Sequence, residues 1–197
     1  MNRRSVSITT PLMGGVLLGG GSRRMGRPKQ LISIDGETMA ERVVSSLEPR
    51  VAEVYLLGSG EVPAPLGQLT RLDDAPNCRG PLAGILAALR HNSEACWIVA
   101  ACDMPMIQPA AIWWLFGARR LGTSIVLPRI GDRVEPLLAL YEPSALGLLE
   151  EAAATGQLAL HRLASRSSVR CVEPPASLRE SWFNANTPAD LQSLEAS

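Results

Sequence analysis

The stretch that decides the fold reads VLLGGGSRRMGRPK from Val16 to Lys29. It begins as a short apolar run with the pattern of a buried strand and then breaks into three glycines. Glycine has no Cβ atom to hold a ligand away from the backbone and permits positive φ angles, so successive N–H groups can form a nest for an anion. The basic residues that follow are Arg23, Arg24, Arg27 and Lys29. The stretch therefore predicts a strand that ends in a phosphate-binding loop.

Two common phosphate-binding loops do not match this stretch. A P-loop ends in Gly-Lys-Ser or Gly-Lys-Thr, whereas Gly26 is followed by Arg27 and Pro28. A dinucleotide-binding fingerprint needs a third glycine at the position of Arg24. The alternative is a flexible glycine turn whose arginines only face solvent. We expect a third kind of loop, in which backbone amides and basic side chains share the anion.

The composition indicates one compact domain and argues against several kinds of partner. The chain has 197 residues, of which 46% are hydrophobic and 19% charged, so it can bury a substantial core. Its formal net charge is +0, which argues against a nucleic-acid partner. No segment approaches the ~20 apolar residues of a membrane span, so no membrane partner is expected. We predict a loose N-terminal tail over residues 1–12 and a single domain over residues 13–197.

The cysteines indicate a reducing compartment. The chain contains Cys78, Cys96, Cys102 and Cys171, which lie far apart and form no C-x-x-C pair, so a zinc or iron–sulfur site is not expected. Cys96 and Cys102 flank an apolar run and are predicted to be buried thiols. Because the N-terminus does not match a secretory signal, we expect a cytoplasmic protein.

Strands and helices alternate along the chain, a pattern typical of a three-layer α/β/α fold. Most of the sheet is expected to be parallel, with one antiparallel strand at or near an edge, because residues 124–141 have the pattern of a hairpin. Strands are predicted at 16–18, 31–34, 53–58, 70–72, 96–101, 124–127, 135–141 and 169–172. Helices are predicted at 38–47, 81–89, 109–120, 144–154 and 158–164, and after Thr187 and Pro188.

A second chemical landmark, Cys102-Asp103-Met104-Pro105, follows the most hydrophobic strand. Ligands of open α/β sheets lie outside the carboxyl ends of the strands, so Asp103 is expected beside the glycine loop. A carboxylate there can hold a Mg²⁺ ion that bridges phosphates, with Mn²⁺ as a substitute, while Lys29 stabilises phosphate charge. The combination predicts phosphoryl or nucleotidyl transfer. The alternative for Asp103 is a helix N-cap or a turn residue.

Two further polar pairs are candidates for substrate contacts. Asp73 and Asp74 follow the strand at 70–72, and a carboxylate that accepts two parallel hydrogen bonds suits the N1–H and N2–H₂ groups of guanine. The alternative for these two residues is a solvated turn. Asn184 and Asn186 suit contacts with a polar substrate, or alternatively helix capping and loop hydrogen bonds.

Four motifs together resemble the molybdenum cofactor guanylyltransferases. They are the loop from Leu18 to Lys29, Gly80-Pro81-Leu82-Ala83-Gly84, Cys102-Asp103-Met104-Pro105 and Asn184-Ala185-Asn186-Thr187-Pro188. The resemblance covers nearly the whole chain from Gly15 onward. It implies a single-domain, Rossmann-like nucleotidyltransferase fold. It also implies that the terminal phosphate of molybdopterin attacks the α-phosphorus of GTP and releases pyrophosphate, with Mg²⁺ assisting.

The resemblance also implies roles for individual residues. Those matched to catalysis are Arg23, Lys29 and Asp103, and Asp103 is the metal ligand. Those matched to GTP binding are Leu18, Gly19, Gly20, Lys29, Asp74 and Asp103. Those matched to the molybdopterin side are Gly80, Gly84, Asn184 and Asn186. The chain departs from the family pattern at Gly19, where alanine is usual, and at Gly58-Ser59, where some members place an asparagine that touches the nucleotide.

Three functional hypotheses follow. The first is GMP transfer from GTP to molybdopterin. The second is a sister enzyme of the same fold, either a cytidylyltransferase for molybdopterin or a sugar-phosphate nucleotidyltransferase. The third is a non-catalytic nucleotide sensor or cofactor chaperone, against which the intact Lys29 and Asp103 argue. GTP and molybdopterin are the expected substrates. Transient contact with proteins that deliver molybdopterin, or with proteins that take part in the maturation of molybdoenzymes, is also expected.

Overall fold

The structure is a computed structural model that describes residues 10–19 and 25–195. The strands of these residues are β1 (Leu12–Leu17), β2 (Ser33–Ile34), β3 (Glu37–Thr38), β4 (Val54–Leu57), β5 (Arg71–Leu72), β6 (Cys96–Ala101), β7 (Ile125–Ile130), β8 (Arg133–Val134), β9 (Leu138–Tyr141) and β10 (Val169–Val172). Their α-helices are α1 (Met39–Leu47), α2 (Pro81–His91), α3 (Pro109–Gly117), α4 (Ala145–Ala154) and α5 (Pro188–Glu195).

The main sheet has the strand order β10-β7-β9-β6-β1-β4-β5, with β8 paired to β7 outside this path. β1 lies parallel to both β4 and β6, and β4–β5 and β7–β10 are also parallel pairs. β9 runs antiparallel to both of its neighbours, β6 and β7. The expected mostly parallel sheet is therefore confirmed. The antiparallel strand expected near an edge is β9, third from the β10 edge and hydrogen bonded on both sides.

The helices cover both faces of this sheet. Successive side chains of a strand point to opposite faces, so Ile98 of β6 packs in one hydrophobic cluster while Trp97 and Val99 pack in the other. The first cluster contains buried residues of α1 and α3, and the second contains those of α2 and α4. All six residues of β6 are buried, as expected for a central strand covered on two sides. This arrangement confirms the three-layer α/β/α fold.

Several element boundaries differ from the sequence-based ones. The predicted strand at 135–141 is split, because residues 135–137 connect β8 to β9 without belonging to either. The strand predicted at 31–34 shrinks to Ser33–Ile34, since Lys29–Leu31 forms a 3-10 turn. The helix predicted at 158–164 is a 3-10 segment, Leu160–Ser165.

The predicted N-terminal tail ends earlier than residue 12. Leu12 already belongs to β1 and pairs with Cys96 of β6. The carbonyl of Pro11 accepts a hydrogen bond of 2.9 Å from the backbone N–H of Cys96, and the carbonyl of Leu12 accepts one of 2.8 Å from Ala52. These bonds place residues 11 and 12 in the domain, whereas residues 1–9 lie outside the described part of the chain.

A helix that crosses a membrane must be both long and apolar. None of those within residues 10–19 and 25–195 combines the length and the apolar character needed to cross a bilayer.

Candidate active site

The carboxyl ends of the central strands meet at one edge of the sheet. The pairing of β1 continues one residue past its end, because Leu18 N–H donates to Leu57 O at 2.8 Å and Cys102 N–H donates to Leu17 O at 3.2 Å. Gly58 N–H likewise donates to Leu72 O at 2.9 Å. The start of the glycine loop and the strand end that carries Asp103 are therefore direct neighbours, as the sequence predicts.

Lys29 connects the glycine loop to this edge. Its Nζ atom donates to Asp103 Oδ2 at 2.8 Å and to Asn186 Oδ1 at 2.6 Å. The side chains of Lys29 and Asp103 are only 16% and 18% exposed, so their attraction is less screened than that of a surface pair. Asp103 and Asn186, which are distant from Lys29 in the sequence, thus both contact its ammonium group.

The segment from Asn184 to Asn186 is held against Asp103 by its backbone. Ala185 N–H donates to the carbonyl of Asp103 at 2.9 Å. The amide of Asn186 donates to Asn184 O at 3.2 Å, which orients its oxygen toward Lys29. Asn184 makes a different contact, since its own amide donates to Trp182 O at 3.3 Å. The structure therefore brings Asn186, but not the Asn184 amide, to Lys29.

A capping box at the start of α5 fixes the same segment. Asp190 Oδ2 accepts hydrogen bonds from Asn186 N–H at 2.7 Å and Thr187 N–H at 2.8 Å, and Thr187 Oγ1 accepts one from Asp190 N–H at 3.2 Å. The hydrogen bond from Asn186 N–H lowers the pKa of Asp190 below its usual value, and the bond from Thr187 N–H makes the next largest contribution. The predicted N-cap role of Thr187 is confirmed.

Asp103 has one carboxylate oxygen that fits a metal ion. Oδ2 bonds to Lys29, whereas Oδ1 is buried and has no hydrogen-bond partner among the described residues. A buried, unpaired carboxylate oxygen is costly unless a cation completes it. No group of three or more His, Cys, Asp or Glu side chains suited to a metal occurs within residues 10–19 and 25–195. Mg²⁺ needs only one or two carboxylates beside phosphate oxygens and water, so Asp103 suits it.

Asp74 adjoins the glycine loop through Gly58. Gly58 has a φ of +93°, and a Cβ atom there would lie 3.1 Å from Leu18 O and 3.3 Å from Asp74 Oδ1. A side chain at this position would therefore separate Asp74 from the loop. Asp73 differs, because its side chain is 92% exposed and lies 3.9 Å from Arg71 Nε. Of the two predicted aspartates, the structure places Asp74 at the site and Asp73 in solvent.

Gly60 is a residue of this edge that the sequence did not reveal. A Cβ atom on Gly60 would lie 2.5 Å from Gly19 N and 2.8 Å from the carbonyl carbon of Leu18. Backbone atoms cannot move aside as a flexible side chain can, so only glycine fits against the start of the loop. Residues 60–68 are rich in proline and glycine, which indicates a loop but gives no further signal of this close approach.

The two glycines predicted on the molybdopterin side have different surroundings. Gly80 is exposed at the start of α2 with a φ of +65°. Gly84 is buried within α2, and a Cβ atom there would lie 2.5 Å from Leu17 Cδ2 and 3.3 Å from Leu57 Cβ. Gly84 therefore lets α2 pack closely on the sheet, and its Cβ position is also 3.8 Å from Asp74 Oδ1 at the same edge. Gly20 and Arg23 lie outside the described residues.

Glu135 is a second residue that the sequence analysis missed. Its side chain is only 9% exposed, and its Oε1 atom accepts a hydrogen bond of 2.5 Å from Arg133 Nη2. Burial raises the pKa of Glu135 above its usual value, the charge of Arg133 opposes that rise, and the charge of Asp103 adds to it. In the sequence, Glu135 was only one position of an apolar strand, which is why no pattern singled it out.

A mostly parallel sheet that brings the start of a glycine-rich segment to the same edge as a carboxylate oxygen left unpaired by the described residues is typical of a nucleotide-transferring α/β domain. The MobA-like NTP transferase domain matches residues 14–170, which is most of the chain. The chain therefore belongs to the MobA-like NTP transferase family and is a nucleotidyltransferase. The resemblance found in the four motifs is confirmed.

Named relatives from several bacteria agree with this membership. The probable molybdenum cofactor guanylyltransferase of Opitutus terrae is 37% identical over 187 residues, which cover 91% of this chain and 92% of the relative. That of Pelotomaculum thermopropionicum is 33% identical over 90% and 89% of the two chains. The molybdenum cofactor guanylyltransferase of Sinorhizobium fredii is 31% identical over 91% and 88%.

Solved structures share the fold. The crystal structure of molybdopterin-guanine dinucleotide biosynthesis protein A from Archaeoglobus fulgidus superposes with a TM-score of 0.78 at 29% identity, covering 93% of this chain and 97% of that one. A 2-C-methyl-D-erythritol 4-phosphate cytidylyltransferase from Thermus thermophilus superposes with a TM-score of 0.63 at 19% identity, covering 92% and 96%. The second likeness concerns the fold alone.

Proposed function

We propose that this chain transfers GMP from GTP to molybdopterin, forming molybdopterin guanine dinucleotide and pyrophosphate. The observation that carries the proposal is the Lys29–Asp103 pair, with the unpaired Asp103 Oδ1, at the edge where the glycine loop begins. The names of the relatives from Opitutus terrae, Pelotomaculum thermopropionicum and Sinorhizobium fredii support this choice of donor and acceptor.

In this reaction a phosphate oxygen of the acceptor forms a bond to the α-phosphorus of GTP. The bond from that phosphorus to the oxygen bridging the α- and β-phosphates breaks, and pyrophosphate leaves with the electron pair. Lys29 offsets the negative charge of the phosphates, and Asn186 holds the ammonium in place at 2.6 Å. Asp103 would hold Mg²⁺ through Oδ1, with Mn²⁺ as a substitute. When bound, the ion neutralises phosphate charge and orients the phosphate oxygens.

The nucleotide is proposed to lie on the β1–β4–β5 side of the site. The backbone of Leu18, Gly19 and Gly20 would contact its phosphates, and Arg23 would add charge there. Asp74 is exposed beside Gly58, where its carboxylate can accept hydrogen bonds from N1–H and N2–H₂ of guanine. Cytosine presents a single amino donor and no neighbouring N–H, so a carboxylate at this position favours GTP over CTP.

The setting proposed for the reaction is the cytoplasm. Transient contact with proteins that deliver molybdopterin or mature molybdoenzymes is part of the proposal, and the net charge of +0 supports small-molecule substrates over a nucleic acid. No membrane partner is proposed. Gly80, Gly84, Asn184 and Asn186 remain the residues proposed for the molybdopterin side.

A calorimetric titration with GTP, CTP and ATP, each with and without Mg²⁺, tests the nucleotide half of the proposal. We expect binding of GTP that Mg²⁺ strengthens, and weak binding of the other two. Asp74→Ala should weaken GTP binding by about tenfold or more, since two hydrogen bonds to a charged group are lost, whereas the exposed neighbour Asp73→Ala should not. Preference for CTP would instead support the cytidylyltransferase of the same fold.

Release of pyrophosphate from GTP on addition of molybdopterin tests the chemistry. We expect Asp103→Asn to lower kcat by about 10²-fold or more, because a charge that acts in the transition state is lost. The same variant should no longer respond to Mg²⁺ in the GTP titration. Full pyrophosphate release by Asp103→Asn would contradict the proposed role, and none from the unaltered chain would favour a nucleotide sensor or cofactor chaperone.

A further inference from the structure

The turn formed by Gly58, Ser59 and Gly60 follows β4 at the carboxyl edge of the sheet. A Cβ atom on its first residue would lie 3.3 Å from Asp74 Oδ1, and a Cβ atom on its last residue would lie 2.5 Å from Gly19 N. Ser59, between them, is exposed. The turn thus borders both Asp74 and the start of the glycine loop, but none of the roles assigned above uses its polar backbone groups.

Arg71 bonds to this turn from the edge strand β5. Its Nε atom donates to Gly58 O at 2.8 Å. Arg71 pairs with Leu56 of β4, and the next residue, Leu72, accepts the hydrogen bond of 2.9 Å from Gly58 N–H. The charged neighbour Asp73 lies 3.9 Å from Arg71 Nε and is 92% exposed, so that ion pair is weak. Both polar backbone groups of Gly58 are therefore bonded to β5, the N–H by backbone and the carbonyl by a side chain.

The bond to Arg71 determines where the next N–H group points. The peptide between Gly58 and Ser59 is trans, and in a trans peptide the carbonyl and the N–H point in opposite directions. Because Gly58 O points toward β5, Ser59 N–H points away from β5, toward the side on which β1 and the glycine loop lie. This N–H has no acceptor among residues 10–19 and 25–195. The turn therefore offers a hydrogen-bond donor of fixed direction.

A backbone donor near a carboxylate matches the base of guanine. Guanine presents the O6 acceptor beside the N1–H and N2–H₂ donors, and a carboxylate can accept from both of these donors. Adenine has an amino donor where guanine has O6, so an N–H group at that position would face another donor. One backbone donor beside one double acceptor therefore favours guanine over adenine.

We propose that Arg71 is a positioning residue for base recognition, which holds Gly58 O so that Ser59 N–H donates to O6 of guanine while Asp74 accepts from N1–H and N2–H₂. The inference rests on the proposed function, because it presumes that GTP is the nucleotide bound. Arg71 acts through the backbone of Gly58. The base lies away from the reacting phosphorus, so Arg71 affects the binding of the nucleotide rather than the transfer step.

Calorimetric titration with three purine nucleotides tests this role. GTP and ITP both carry O6, whereas 2-aminopurine riboside triphosphate lacks it. Arg71→Ala should raise the dissociation constants of GTP and ITP by about fivefold, the value of one hydrogen bond, and should leave that of the 2-aminopurine nucleotide unchanged. Arg71→Lys should recover part of the loss, since an ammonium can donate to Gly58 O. In steady-state pyrophosphate release, Arg71→Ala should raise KM for GTP and leave kcat unchanged.

The matched control is Arg120→Ala. Arg120 also donates to backbone carbonyls, those of Gly117 at 3.2 Å and Arg119 at 2.7 Å. It follows α3 and lines a cavity with Thr10, which precedes β1, so it lies at the amino edge of the sheet. The variant should bind all three nucleotides as the unaltered chain does.

Unchanged binding of GTP by Arg71→Ala would overturn the inference. Equal losses for the three nucleotides would also overturn it, because they would show that the charge of Arg71 acts on the phosphates that all three share. A fall in kcat would place Arg71 at the reacting centre and contradict its assignment to the base. Binding of GTP by the unaltered chain decides the proposed function separately.

Discussion

Asn186 sets the position of the Lys29 ammonium by accepting its hydrogen bond at 2.6 Å. Asn186→Ala removes that acceptor but leaves the Asp103 pair intact, so Lys29 should shift away from the phosphates. We expect kcat for pyrophosphate release to fall by about tenfold, the value of one hydrogen bond to a charged group. Asn184→Ala should cost less, since the Asn184 amide bonds only to a backbone carbonyl among the described contacts. Equal losses in the two variants would contradict this ranking.

Gly60 determines where the glycine loop begins. In Gly60→Ala the new methyl group would lie 2.5 Å from Gly19 N, so the backbone at the start of the loop must move. We expect kcat/KM for GTP to fall by about 10²-fold, as for other displacements of about 1 Å at a reacting centre. The measurement is steady-state pyrophosphate release at varied GTP concentration.

Gly147→Ala is the control for this prediction. Gly147 lies inside α4, and nothing would come within 4 Å of its Cβ atom. The substitution should leave kcat/KM unchanged and should raise the free energy of unfolding by roughly 0.5–1 kcal/mol, because alanine favours the helix. Comparable kinetic losses in the two alanine variants would show that Gly60 has no special position.

At the scale of the element, α1 begins with a capping box. Thr38 Oγ1 accepts from Glu41 N–H at 3.2 Å, and Glu41 Oε2 accepts from Thr38 N–H at 2.8 Å. The first residue of the helix, Met39, also donates its N–H to Ile32 O at 2.8 Å, which connects α1 to the turn that carries Lys29. The start of α1 therefore helps to fix the turn that carries Lys29.

Thr38→Ala should lower the free energy of unfolding by about 1 kcal/mol, since both hydrogen bonds of the box depend on the threonine at the N-cap. Chemical denaturation followed by circular dichroism measures the change. Thr70→Ala is the control, because Thr70 is exposed and outside any helix. The prediction is contradicted if the two variants have the same midpoint of unfolding.

At the scale of the whole molecule, two cysteines report on the integrity of the sheet. Burial raises the pKa of Cys102 to about 12 and raises that of Cys96 as well. Thiolate, the reactive form, is therefore scarce at both positions. Cys78 and Cys171 are only partly buried.

A thiol-reactive chromophore should accordingly label Cys78 and Cys171 in the native protein and all four cysteines only after unfolding. Peptide mapping of the labelled protein identifies the sites, and Cys78→Ser with Cys171→Ser gives the matched background. Rapid native labelling of Cys96 or Cys102 would contradict the burial of the central strand β6.

The buried carboxylate of Glu135 affects the stability of the whole domain. Burial raises the pKa of Glu135 above its usual 4.5, so the folded chain binds this proton more tightly than the unfolded chain. The contribution of the group to folding is largest below pH 4.5 and decreases as the pH rises through the folded-state pKa.

Glu135→Gln removes the cost of the buried charge. We expect the variant to unfold at a higher denaturant concentration than the unaltered chain at pH 7.5, and the two to converge below pH 4.5. A lower midpoint for Glu135→Gln at pH 7.5 would mean that the Arg133 pair outweighs burial.

Local patterns predicted the elements and part of the site. The apolar run of β6 is confirmed residue for residue, and the cap of α5 at Thr187 is confirmed because side-chain hydrogen bonds to nearby N–H groups depend only on neighbours in sequence. The juxtaposition of the loop with Asp103 followed from a general rule for parallel sheets. Gly60 and Glu135 were not predicted, because Gly60 lies against Leu18 and Gly19, and Glu135 senses the charge of Asp103, all of them distant in sequence.

The sequence by itself determined the family and the three-layer fold, and it predicted a phosphate-binding loop with Lys29 and Asp103 as its charged partners. Only the tertiary structure decided that Asn186 rather than Asn184 reaches Lys29, that Gly84 lets α2 pack on the sheet, and that Glu135 is buried beside Arg133. The physical reason is the sequence separation over which each interaction acts. Hydrophobic periodicity and capping act between residues close in sequence, whereas the surroundings of a side chain at a sheet edge depend on strand order and register.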